Sequence, residues 1–358
     1  MLYACRMSDR CSGGLYSKEG SAMLKGVAIL TMLYSHFFGM FSVDVSAEAM
    51  RADRVFSFLA GPASQEHGAL CLALFAFVTG FGYCVISGRE SRGIVSATVA
   101  RLRRFYPFFI AFCCLFICLA YLCPYSGKIC PERVPSYFLT MVGLRHGITD
   151  YWYISVFLLS ALFCFPLFLF ARRNSKLLYI ALWVLLAISP GKNTLYSVCF
   201  HILALFTSNP AECVVRVSEI CYFGAISWMP YFVMGWLLAA LSQNDGISPL
   251  FKIGIIVIAL LCSGTLPAVK VYFLISLLLV YMLQRMPGRW VRPLVLLGNY
   301  SACMWLNHRL IFGYWFAGWF YGLPTPLNFG LLVVFSFVLS VLIMKAWNGG
   351  LKYLSRRG

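Results

Sequence analysis

The chain has 358 residues, of which 61% are hydrophobic and only 11% charged, with a formal net charge of +17. That charged fraction is under half of what a soluble domain carries, which excludes an ordinary water-soluble fold. Apolar runs long enough to cross a hydrocarbon core recur along the chain without the two-residue alternation of a barrel strand, so the expected fold is an all-α integral membrane protein.

Residues 1–23 are polar and mixed, without the compact apolar core and small-residue cleavage site of a secretory signal, and the first span is expected to act as an uncleaved signal-anchor. In chain order the predicted spans are 24–42, 69–87, 105–123, 151–171, 176–189, 221–241, 250–266, 269–284, 293–316 and 327–347. A further apolar run, 195–206, is too short for a crossing and suits a re-entrant or interfacial segment. Charge arbitrates the topology. With that run left out and the N-terminus inside, the inner segments hold Arg6, Arg10, Lys18, Lys25, the Arg89–Arg104 cluster, Arg172, Arg173, Lys176, Arg285, Arg289, Arg292, Lys352, Arg356 and Arg357. The outer loops keep most of the acids, among them Asp44, Glu48, Asp53, Glu66, Glu132, Asp150, Glu212 and Glu219. About ten transmembrane helices with both termini cytoplasmic is the arrangement that obeys the positive-inside rule. The positive charge is then topological, and no nucleic-acid partner is expected. The predicted organisation is a cytoplasmic segment 1–23, one transmembrane domain 24–347 and a short cytoplasmic tail 348–358, in a cell (inner) membrane.

No carboxylate falls inside any predicted span, although proton-coupled transporters usually keep one in the bundle. His36 lies about 18 Å into the first span. A histidine at that depth serves either as a hydrogen-bonded structural group or as a functional one. Lys25 precedes it by eleven residues, about three turns and about 16 Å, so the two share a helix face. Taken alone, Lys25 reads as an interfacial anchor. At the inner end of the third span Arg101 and Arg104 are three apart and share a face. Guanidinium forks match phosphate oxygens, while ordinary inside charge is the plainer reading. Pro107 is expected in a first turn, fixing the start of that helix. His308, flanked by Asn307 and Arg309 in the ninth span, reads either as part of a structural hydrogen-bonded cluster or as a group lining an outward-opening cavity. His67, His146 and His201 read as surface or interface residues. Most of the 15 cysteines lie within apolar runs as small core residues, and no pair with zinc-site spacing has a second pair to match, so no metal is expected. Cys123 and Cys130 flank an outer loop where a disulfide is one option.

Several of these segments, in order, carry a resemblance. KGVAILTMLYSH has a basic residue, ten residues and then a histidine. GALCLALFAFVTGFGY closes a span with Thr79, Gly80 and Phe81 after Phe75 and Phe77. RLRRFYP has Arg-x-x-Arg followed by Tyr-Pro. YWYISVFLLS opens a span with Trp152 and Tyr153. GNYSACMWLNH holds Gly298, Ser301 and His308. Together they resemble the membrane-bound acyltransferase 3 family over nearly the whole chain. The departures are Lys25 where arginine is usual and Thr79 where serine is.

The resemblance implies O-acylation of a glycan or lipid-linked sugar by a cytoplasmic acyl-CoA, acetyl-CoA by family habit, with no permanently bound cofactor. The partners it implies are the acyl-CoA, the acceptor sugar and the lipid bilayer; without a fused esterase-like domain, the chain is expected either to act alone or to work with a separate extracytoplasmic transferase. On this reading Lys25, Arg101 and Arg104 receive the donor's phosphates and His36 is the catalytic residue, as general base or through an acyl-imidazole. His308, Ser301 and Trp152 are candidates for a secondary site. The sequence offers no carboxylate in the bundle to orient His36. The orienting group is then a Tyr, a Ser, a backbone carbonyl, or an outer acid such as Glu66 or Asp150. Trp152, Tyr153, Trp315, Trp319 and Tyr321 at outer span ends suit sugar stacking or, more commonly, interfacial anchoring. The rival readings are a transporter or flippase for an anionic or lipid-linked solute, and a non-catalytic scaffold.

Overall fold

The computed structural model describes residues 17–40, 63–89, 93–122, 228–242, 267–309 and 325–355, with five positions between 254 and 261. Among the described residues there are helices and short turns and no strand. The helices are α1 (Lys18–Met40), α2 (Ala63–Arg89), α3 (Gly93–Leu122), α4 (Met229–Ser242), α5 (Pro267–Leu283), α6 (Gly288–Arg309) and α7 (Thr325–Ser355). They coincide with the predicted spans at 24–42, 69–87, 105–123, 221–241, 269–284, 293–316 and 327–347. The spans 151–171 and 176–189, the run 195–206 and the Cys123–Cys130 loop lie outside the described residues, as does most of 250–266. Stretches 18–38, 67–85 and 326–350 are each long and apolar enough to cross a membrane, with mean hydropathy 1.2, 2.0 and 2.5.

Boundaries move where the apolar run is shorter than the helix. α3 begins at Gly93, so Arg101, Arg103, Arg104 and Pro107 all lie inside it. Pro107 is therefore an interior proline and not a first-turn residue; it has no N–H to give to the carbonyl of Arg103. α2 takes in Glu66 and His67, which the hydropathy pattern leaves in a loop. α7 continues through Ser355, so its 31 residues span about 46 Å and outrun a hydrocarbon core of about 30 Å.

The described helices pack into two units. The first comprises α1, α2 as far as Phe75, α5, α6 and α7. Its centre is the crossing of α1 and α6, the most extensive helix contact described. A Cβ on Gly26 would overlap the carbonyl oxygen of Leu294, and one on Gly298 the carbonyl oxygen of Ala22. Only glycine lets two backbones come this close, which is how small residues hold membrane helices together without a hydrophobic driving force. α1 and α6 run parallel, since Gly26 meets Gly298 at one end and His36 meets His308 ten residues further along each chain. α5 runs antiparallel to α1. The amide and hydroxyl of Ser17, at the start of α1, both donate to Gln284 Oε1 just past the end of α5 (3.1 and 3.0 Å). α7 starts beside the far end of α1, where Phe329 packs on Tyr34, Phe37 and Phe38.

α7 buries a narrow stripe. Asn328, Leu332, Ser336 and Ser340, four residues apart, are all inaccessible, whereas Leu327, Val334, Phe335, Val338 and Leu342 are exposed. α5 divides the same way: Val269, Phe273, Leu277 and Val280 are buried, and Val271, Ile275, Leu278 and Met282 are not. The exposed aliphatic faces are those a lipid bilayer would cover.

The second unit comprises α2 from Ala76, with α3 and α4. α2 and α4 cross as α1 and α6 do. A Cβ on Gly80 would overlap the carbonyl oxygen of Phe232, and one on Gly235 that of Phe77. Phe77, Phe109, Phe112, Tyr231, Phe232 and Leu238 form its buried interior.

Candidate functional site

The first unit brings two membrane histidines together. His36 Nδ1 on α1 lies 2.7 Å from His308 Nε2 on α6, with ring centroids 4.9 Å apart and an interplanar angle of 31°. On the far side of His308, Nδ1 lies 2.6 Å from the carbonyl oxygen of Trp305, one turn back on the same helix. A carbonyl only accepts, so His308 Nδ1 carries the hydrogen and donates it. His308 is fully buried and His36 half-buried. Of the two readings of His308, a hydrogen-bonded cluster and a group lining an outward-opening cavity, its bonds and the burial of residues 303–308 fit the first. Burial of an imidazole in an apolar bundle is costly unless both ring nitrogens are bonded, and both nitrogens of His308 are.

The two flanks of His308 part company. Asn307 faces α7, where Nδ2 donates to Ser340 Oγ (2.8 Å) and to the carbonyl oxygen of Ser336 (3.1 Å); Ser340 Oγ also donates to that carbonyl (2.7 Å). Asn307 is an interhelical anchor that sets the rotation of α6 and so the direction of its neighbour. Arg309 ends α6. Ser301, one of the expected secondary-site residues, is buried with its hydroxyl donating to the carbonyl of Gly298 (2.9 Å), inside the α1–α6 crossing.

Around the same end of α1 stands an aromatic cluster. Of its two readings, surface or interface, His67 fits the second: half-buried, it stacks on Tyr272 with centroids 5.2 Å apart and meets Tyr34 at 5.0 Å. Tyr34 also contacts Phe38 at 4.6 Å. Gly68 leaves room for Ser35, whose Oγ would stand 2.7 Å from a Cβ there.

Lys25 is half-buried on α1, next to Gly26 of the crossing and on the same helix face as His36. In the second unit Arg101 on α3 is half-buried, with its guanidinium 4.3 Å from the centroid of Tyr83. Gly82 makes space for it, since a Cβ there would stand 2.6 Å from Nη2. Arg103 is exposed and Arg104 lies one turn from Arg101 on α3. Trp152, Glu132 and Asp150 lie outside the described residues. Among the described residues no three His, Cys, Asp or Glu side chains gather as metal ligands.

Sequence reading did not single out Asn328, Ser336 or Ser340. Their four-residue spacing within an otherwise aliphatic run was the available signal for the buried face of α7. It also did not pair His36 with His308, because 272 residues separate them.

The family model described as an acyltransferase domain, that of the acyltransferase 3 family, matches residues 22–345. Neither the curated proteins nor the solved structures give a match. The chain belongs to the acyltransferase 3 family and is a membrane acyltransferase.

Proposed function

We propose that this acyltransferase moves an acyl group, acetyl in the simplest case, from a cytoplasmic acyl-CoA to a hydroxyl of a glycan or lipid-linked sugar, with His36 as general base. The observation that carries the reading is the imidazole pair. It places a titratable ring on α1, part-way along a membrane-spanning helix, and holds that ring by a hydrogen bond to a second helix. His36 would take the acceptor's proton as the hydroxyl oxygen attacks the thioester carbonyl. The carbon–sulfur bond then breaks, and the departing thiolate recovers that proton from His36 to leave as free thiol.

The donor side follows from charge. Lys25 and, by the positive-inside topology, Arg101 and Arg104 stand on the cytoplasmic side of the apolar parts of their helices, where the phosphates of acyl-CoA would be drawn. A ten-span arrangement with both termini cytoplasmic and the 195–206 run outside the count belongs to the same reading. The parallel course of α1 and α6 supports it, because these are the first and ninth predicted spans.

Purified protein in lipid nanodiscs with labelled acetyl-CoA and a panel of glycans provides the test. His36→Ala should lower label transfer and CoA release by about 10²–10⁴-fold, the usual worth of a general base, while His146→Ala leaves both unchanged. Undiminished turnover in His36→Ala would sink the mechanism. A transporter would instead carry solute across proteoliposomes with no release of CoA.

A further inference from the structure

We infer that His308 is a positioning residue that dictates which nitrogen of His36 carries the proton. The argument is one of donors and acceptors. Trp305 offers a carbonyl, which can only accept, so Nδ1 of His308 is protonated. In neutral His308 the other nitrogen, Nε2, is then an acceptor. Its partner 2.7 Å away is His36 Nδ1, which must therefore be the donor. The lone pair of neutral His36 is left on Nε2. A backbone carbonyl on α6 thus sets the tautomer of a histidine on α1 through one intervening ring, the job that a carboxylate does for other catalytic histidines.

Three further features hold the relay in register. The Gly26–Gly298 contact lies ten residues before both histidines, so the two parallel helices carry them to one level. Ser301 bonds to Gly298 within the same crossing. Asn307, adjacent to His308, pins α6 to Ser336 and Ser340 on α7. The glycine crossing and the Asn307 anchor each remove a way for His308 to turn away from His36.

The catalytic meaning rests on the proposed role of His36: protonation at Nε2 forms an imidazolium whose Nδ1 hydrogen stays bonded to His308. The tautomer assignment itself does not rest on that role, and the experiment keeps the two apart. The full chain in lipid nanodiscs, with ring-¹⁵N histidine at all five positions, is compared with His36→Gln to identify the His36 signals. The expected wild-type result is His36 protonated at Nδ1 and bare at Nε2. His308→Gln, whose amide oxygen can accept in place of Nε2, should preserve that tautomer. His308→Leu should release it to a mixture of both.

A wild-type His36 protonated at Nε2, or a tautomer unmoved in His308→Leu, overturns the inference. The wild-type spectrum decides by itself if the leucine variant does not fold. In turnover, His308→Leu should lower kcat for CoA release by about 10²-fold or more, with the donor KM unchanged and activity regained in His308→Gln. If the tautomer follows His308 yet CoA release is the same in every variant, including His36→Gln, the positioning stands and the proposed role of His36 falls.

Discussion

Two helix crossings of the same kind hold very different groups. In one unit Gly26 and Gly298 bring α1 and α6 into backbone contact; in the other Gly80 and Gly235 do so for α2 and α4. Beyond the first crossing two imidazoles meet and both nitrogens of the buried ring are bonded. Beside the second, Gly82 and Tyr83 receive the guanidinium of Arg101. The contrast is between a site held by backbone and one held by a flexible side chain. The histidine pair depends on where two helices sit, because an imidazole has only two torsions with which to compensate. Arg101 has four, and reaches its ring from a helix that the glycine crossing does not include.

The strongest way to break this comparison is to widen both crossings. Gly298→Ala and Gly235→Ala each place a methyl against a carbonyl oxygen that cannot swing aside, and each should cost about 2–4 kcal/mol of stability in detergent unfolding. They should part in function. Gly298→Ala should also lower CoA release per folded molecule, since it pushes α1 from α6 and opens the 2.7 Å contact. Gly235→Ala should not do so by this route. Equal losses of specific turnover would erase the distinction.

Gly82→Ala gives a smaller effect. The atom in its way is the far end of Arg101, which can move, so the loss is that of the cation–π contact, about 1 kcal/mol. A raised KM for acyl-CoA with kcat unchanged would tie that contact to the donor; an unchanged KM would leave Arg101 as a structural and topological charge. The smallest effect is expected at Gly330, which is exposed on α7 with open space around its Cα. Gly330→Ala should stabilise α7 by up to about 1 kcal/mol through helix propensity alone. Destabilisation there would mean that this face meets something more demanding than lipid.

Much of the architecture was legible along the chain. The seven described helices stand where hydropathy places them, and Lys25 and His36 share a face because eleven residues make about three turns. The misplaced boundaries share one cause. Hydropathy marks the lipid-immersed part of a helix, whereas α3 and α7 continue as helices beyond it through Gly93–Arg104 and as far as Ser355. The motif glycines were visible, but their purpose was not. Gly298 read as a motif residue and Ser301 as a site candidate; in the folded chain Gly298 lies in the α1–α6 crossing and Ser301 bonds to its carbonyl. That no predicted span holds a carboxylate was visible in the sequence; that His308 stands beside His36 was not.

What the sequence determined by itself was the class of the molecule, the positions of the seven described helices along the chain and the shared helix face of Lys25 and His36. Those follow from local quantities, the length of an apolar run and the pitch of a helix. Only the tertiary structure decided that His36 meets His308 across 272 residues of chain, and which stripe of α7 is buried. It also decided that Trp305, through a carbonyl every residue possesses, ends the hydrogen-bonded chain. A backbone acceptor leaves no mark in a sequence, and the separation of two helices is set by contacts between glycines that each helix, read alone, has no reason to pair.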